Sequence, residues 1–129
     1  MHIQCEPNEQ NSVQSYDANT VIIDTQAYSQ SILVTKDNIV LLHDAHLVQD
    51  INFSWLQHIE PHAKKQISIL IIGQNKLNQF LTPEQYASFI TNNIGVEHMQ
   101  FGAACRTFNL LLSEKRKIGM VLLFGSSSC

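Results

Sequence analysis

Ile67-Ser68-Ile69-Leu70-Ile71-Ile72-Gly73 is a nearly continuous apolar run that ends in glycine. A run of this kind reads as a strand buried on both faces, the condition of a parallel sheet covered by helices. Thr82-Pro83-Glu84-Gln85 follows as a strong helix start. Thr82 caps, Pro83 takes the first helical position and Gln85 completes a capping box. Tyr86, Ala87, Phe89 and Ile90 then fall on one side of that helix, Asn92-Asn93 ends it, and Ile94-Gly95-Val96-Glu97-His98-Met99 reads as the next strand. Strand, helix and strand in this order predict a parallel pair joined by a right-handed crossover.

C-terminal to this unit, a second helix is expected from about Gly102 to Lys115, with Ala104, Phe108, Leu111 and Leu112 as its core stripe. Lys117 to Phe124 closes the sheet, and residues 125–129 read as a flexible tail. N-terminal to the unit the rhythm is antiparallel. Val13 to Tyr16 alternates, Asp17-Ala18-Asn19 is turn-like, and Thr20 to Ile23 is β-branched. Lys36-Asp37 joins Ser31–Thr35 to Asn38–Leu42 as a hairpin. A short helix spans Ser54 to Ile59 and stops before Pro61. Residues 1–12 are polar and predicted to fray. The expected architecture is a single α/β domain over 13–124. It has three layers around a mixed central sheet of about five strands, with additional antiparallel N-terminal strands.

Composition narrows the function. The 129 residues carry a net charge of -3 with no basic stripe, which argues against nucleic-acid binding. Hydrophobic residues make up 44% and charged residues 15%, a globular balance. No apolar stretch approaches the length of a spanning helix, so the chain is not expected to be integral to a membrane. Cys5, Cys105 and Cys129 form no CxxC and cannot all pair, and no signal peptide is read at Met1; a reduced, cytoplasmic setting is the simpler account.

The segment Ile94 to Met99, then Ala103-Ala104-Cys105-Arg106-Thr107-Phe108-Asn109, then Glu114-Lys115-Arg116, resembles the signature of the family that includes the mitochondrial complex I assembly factor three and many bacterial and archaeal proteins of unknown function. The similarity runs from about Val13 to Phe124. The resemblance implies the three-layered fold, an association with assembly of membrane complexes, and no established enzymatic activity. Two positions depart from the family pattern. Gly73-Gln74-Asn75 stands where the family usually has Gly-Thr-Gly, and Phe101 where it usually has threonine.

Candidate chemistry concentrates at the carboxyl ends of the parallel strands, where open α/β sheets place their crevice. That brings Gly73 and Gln74 near Gly102 and Arg106, beside a helix N-terminus that favours anions. The alternative is that Arg106 pairs internally. Glu97, among apolar neighbours, calls for a cationic partner, with Arg106 and Arg116 as candidates, or serves as a tuned base. Asn109 and Arg116 join it as a polar cluster, and Arg106, Asn109 and Ser113 either tie down loops or face a partner. Cys105 reads as a buried inert thiol. His43 and His46 lack a third ligand, and Pro61 should break the helix that would align His58 with His62, so no metal and no cofactor is predicted. The functional expectation is a non-enzymatic, assembly-factor-like interaction module with a protein partner or a homo-oligomeric contact. The second reading is a small-molecule or anion-binding domain, with or without enzymatic activity, at the crevice.

Overall fold

A computed structural model describes residues 3–4, 11–17, 20–42, 48–75 and 79–124. Among these described residues nine strands form two sheets. β1 (Ile3–Gln4), β2 (Val13–Tyr16), β3 (Val21–Ile23) and β4 (Gln26–Tyr28) make an antiparallel sheet in sequence order. β5 (Ile32–Thr35), β6 (Ile39–Leu41), β7 (Ile69–Gln74), β8 (Gly95–Gln100) and β9 (Ile118–Leu123) make the larger one, in the order β6-β5-β9-β7-β8. β7 runs parallel to both β8 and β9, and β5 is antiparallel to β6 and β9. The sheet is thus mixed and five-stranded, as the sequence predicts.

Each face of this sheet carries its own core, and β7 supplies both. Leu70 and Ile72 pack with Leu56 of α1 (Phe53–Ile59), Ala63 of α2 (Ala63–Gln66) and Phe89 of α3 (Pro83–Ile90). Ile71 points the other way, into Ala104, Phe108 and Leu112 of α4 (Phe101–Ser113) and into Val13, Val21 and Ile23 of the small sheet. Strand alternation with apolar residues on both faces explains the unbroken hydrophobic run. The third layer is therefore composite: one long helix and the small antiparallel sheet side by side.

The capping box at Thr82 and Gln85 is formed. Gln85 does more than cap. Its buried Nε2 donates to the carbonyls of Val48 and Ile51, both at 2.8 Å, while its Oε1 accepts from the Thr82 N–H at 2.7 Å. It thereby anchors a 3-10 turn, Val48–Asp50, onto α3. Glu60 is a second buried polar anchor. Its carboxylate accepts from Asn38 Nδ2 at 3.0 Å and from the His62 N–H at 3.2 Å, tying the β5–β6 hairpin to the α1–α2 link.

Several local features differ from expectation. α1 begins at Phe53, because the Asn52 side chain accepts from the Trp55 N–H at 2.9 Å and sets the start one residue earlier. α2 is one extra turn after Pro61. At the N-terminus, where polar composition predicts fraying, Ile3 and Gln4 pair with Tyr16 and Ser15. Asn11 and Ser12 are also buried, and Asn11 Nδ2 donates to Thr35 O at 2.9 Å. The tail at 125–129 lies outside the described residues.

β3 and β4 join through Asp24 and Thr25, with φ of 50° and 66°. Both therefore occupy the left-handed region that a two-residue hairpin turn demands. This turn is hard to read from sequence because neither position is glycine or asparagine. A β-branched residue there is strained. Thr25→Gly is expected to raise stability by about 1 kcal/mol in urea denaturation; an unchanged or lower midpoint would refute the strain.

Candidate functional site

β7 and β8 end at the same edge of the sheet, with Gly73 beside Met99 and Gln74 beside Gln100. Gly73 is a packing position. A Cβ there would lie 2.5 Å from the Ala104 Cβ and 3.0 Å from Leu122 Cδ2, so α4 can seat on β7 only because the side chain is missing. Gln74 points to the opposite face, is buried, and its Oε1 lies 3.0 Å from His98 Nε2. An amide oxygen only accepts, so Nε2 carries the proton and Nδ1 presents a lone pair. That Nδ1 is buried with no hydrogen-bond partner. Phe80 packs edge-on against the imidazole, with centroids 5.7 Å apart at 65°.

Burial pushes the His98 pKa below its ordinary value of 6.5. A charged ring would bury an unpaired N–H. The unfolded chain consequently binds the proton more readily than the folded one. The stabilising contribution of neutral His98 is full above pH 6.5 and is lost as pH falls below it. Melting temperature should drop between about pH 7.5 and about pH 5, and His98→Gln should make that drop shallower. Parallel pH profiles for the two proteins would contradict this.

β8 passes into α4 without a connecting loop. Gln100 is the N-cap, with no side-chain cap bond, and the helix starts at Phe101. Gly102 therefore sits inside the first turn, one residue past the helix start. Phe101 is buried, its ring 6.3 Å from Tyr16 and 5.2 Å from Phe124. Above it, Arg106 Nη1 donates to the Tyr16 hydroxyl at 2.6 Å. A Cβ at Gly102 would lie 3.1 Å from that hydroxyl and 3.2 Å from Nη1, so this glycine makes room for the Tyr16–Arg106 pair.

One turn further, the Asn109 side chain mimics a strand edge. Its Oδ1 accepts from the Val13 N–H at 2.7 Å, and its Nδ2 donates to the Val13 carbonyl at 2.8 Å. Arg106 and Asn109 together clasp β2 to α4. Asn109→Ala should cost about 2 kcal/mol by leaving both Val13 groups without these partners. Hydrogen exchange should quicken across β2 and β3 more than across β7. Uniform exchange in the two sheets would argue against the clasp.

The model of one protein family, described as a protein of unknown function (DUF498/DUF598), matches residues 13–123. The chain belongs to this family. No curated protein matches it. Among solved structures it is similar to a Bordetella parapertussis protein, 27% identical with a TM-score of 0.76, covering 93% of this chain and 100% of that one. It is also similar to a Xanthomonas campestris protein, 22% identical with a TM-score of 0.75, covering 98% and 93%. A third, a Bordetella pertussis protein described as an Mth938-like domain, is 22% identical with a TM-score of 0.75, covering 96% and 92%. The last two likenesses show the fold alone.

In this DUF498/DUF598 member, the polar cluster expected of Glu97, Asn109 and Arg116 is not brought together. Glu97 is exposed on β8, the edge strand, and no ion pair links it to Arg106 or Arg116. Its apolar sequence neighbours suggested burial, but an edge strand leaves one side open. Arg116 lies beyond the far end of α4, where its backbone N–H bonds to Leu111 O and Lys115 takes φ 63° to end the helix. Ser113 turns back onto Leu110 O. Cys105 is buried in the core beneath α4.

His43 and His46 lie outside the described residues. His58 and His62 are exposed and are not aligned on one helix, since α1 ends at Ile59. Among the described residues no group of three or more His, Cys, Asp or Glu could hold a metal ion. Among them, too, no helix is long and apolar enough to cross a membrane. Sequence reasoning missed the Gln74–His98–Phe80 group. Strand alternation, which puts His98 on the same face as Val96 and hence toward α3, is the signal that could have found it.

Proposed function

We propose that this family member is a non-enzymatic interaction module of the assembly-factor type, acting in the assembly of membrane complexes. The observation that carries the reading is the surface around β8. Phe80, 64% exposed, packs against His98 of the edge strand, and Ile90, 63% exposed, ends α3, the helix that packs on that strand. Large apolar side chains beside unpaired backbone are what a protein partner covers. The internal roles of Arg106 and Asn109 support the same reading, since the residues that carry the family resemblance act as a clasp. In cells lacking the gene, native gels should show a shortfall of at least one membrane complex. The wild-type gene should restore it, and a Phe80→Ser/Ile90→Ser double variant should not. A full complement of complexes in the deletion strain would remove the assembly role; restoration by the double variant would remove the surface.

Anion binding at Gly73, Gln74, Gly102 and Arg106 is the second reading. It is favoured by the exposure of Arg106 and by the lack of a side-chain cap at Gln100. It is opposed by the Tyr16–Arg106 bond and by the buried Phe101 ring at the helix start. Phosphate titration followed by amide NMR separates the two. Shifts at Gly102 to Arg106 that vanish in Arg106→Ala support the anion site, and an unchanged spectrum removes it.

A further inference from the structure

β8 ends the five-stranded sheet, and among the described residues no strand pairs with its outer edge. The Gly95 N–H donates inward to Ser68 O at 2.9 Å. N–H and C=O of one strand residue point the same way and alternate along the strand. Gly95, Glu97 and Met99 therefore bond toward β7, Val96 and His98 direct their N–H and C=O outward, and Gln100 directs its N–H outward while its C=O, as that of the N-cap, turns into α4. We propose that this edge pairs antiparallel with β8 of a second copy of the chain, about a twofold axis at His98, to make one continuous ten-stranded sheet.

The register follows from symmetry and charge. An antiparallel pair about a twofold axis normal to the sheet places residues of like face opposite each other. Centring on His98 is the one register that uses all three outward residues, with Val96 opposite the partner's Gln100 and His98 opposite the partner's His98. Glu97 then faces the partner's Met99. Shifting the centre to Glu97 would set two carboxylates directly opposite, which destabilises a sheet. It would also leave Gln100 without a mate. His98 is neutral above its ordinary range, so no like charges meet at the axis.

The same operation accounts for two of the four large apolar side chains exposed among the described residues, Phe80 and Ile90. Phe80 stands against His98, near the C-terminal end of β8. Ile90 closes α3, which runs back toward the N-terminal end of that strand. An antiparallel partner sets its own C-terminal end beside the first copy's N-terminal end. Ile90 of each copy thus approaches the partner's Phe80, and the aromatic pairs at His98 meet across the axis.

This inference rests on β8 being an interaction surface, and sedimentation of the full chain tests it. A concentration-dependent dimer is expected. Val96→Pro removes an outward N–H without breaking an inward bond, and Phe80→Ser removes a side chain already in solvent. Each should raise the dimer dissociation constant at least about tenfold. With Cys5 and Cys129 changed to serine, an equimolar mixture of Glu97→Cys and Met99→Cys chains should cross-link on mild oxidation, and neither chain alone should. A monomer at all concentrations, a dimer indifferent to Phe80→Ser, or cross-linking of Glu97→Cys with itself would each overturn the pairing. A monomer whose Phe80→Ser/Ile90→Ser variant still fails to restore membrane complexes overturns self-association alone. A dimer whose variant restores them overturns the assembly reading alone.

Discussion

Gly73→Val is expected to lower the unfolding free energy by about 3 kcal/mol. The position allows no side chain: the first carbon added would stand 2.5 Å from the Ala104 Cβ and 3.0 Å from Leu122 Cδ2. Ala104 belongs to α4 and cannot rotate away, so the helix as a whole must lift off β7. Lifting it would also loosen Phe101 and Phe108, which are buried beneath the same helix. Gly73→Ala should cost less, about 2 kcal/mol. The decisive comparison is Gly73→Ala/Ala104→Gly, which should be less destabilised than the sum of its two single changes because one added carbon replaces another. Strict additivity in urea denaturation would show that the contact does not limit the approach of α4.

Gln85→Glu should cost about 3 kcal/mol near neutral pH, although it alters a single atom of the side chain. The amide nitrogen donates to two carbonyl oxygens, and the oxygen already accepts from the Thr82 N–H. A carboxylate keeps the last bond, loses the first two and sets a charged oxygen against two carbonyls. The new carboxyl would have its pKa raised in the fold. Its penalty is thus largest when ionised and shrinks as pH falls, because the protonated acid can again donate to one carbonyl. A deficit relative to wild type that narrows on acidification is the expected signature. A deficit constant with pH would mean that the loss arises elsewhere.

Both changes concern residues whose type the sequence displays and whose partners it hides. Gln85 is legible as a capping residue because a capping box is local, spanning four positions. Its bonds to Val48 and Ile51 cross more than thirty residues and depend on how α3 packs. Gly73 is legible as a strand-end glycine, but a glycine that admits a ligand and one that admits a helix look alike in one dimension. The strand-helix-strand unit from Ile67 to Met99 was readable for a physical reason, since burial on two faces leaves an unbroken apolar run.

Glu97 shows the converse. Ile94, Val96 and Met99 surround it, yet β8 lies at the sheet edge, and strand order is a property of the whole chain. Asn109 and Arg106 were readable as one polar face of a helix. That this face grips β2 became visible only with the small sheet in place. His98 was hidden by its modest setting, one imidazole in a short strand. Its pairing with Gln74 depends on the parallel register of β7 and β8, which periodicity cannot supply.

On this proposal the β8 edge and its exposed apolar flank meet protein. The most direct measurement replaces Phe80 with a photo-cross-linking amino acid in the native cell, with Gln57, exposed on α1, as the control position. Irradiation should yield one or a few discrete protein adducts from position 80, a second copy of the chain among them, and none from position 57. Recovery of the uncross-linked chain alone from position 80, or the same diffuse adducts from both positions, would contradict the account.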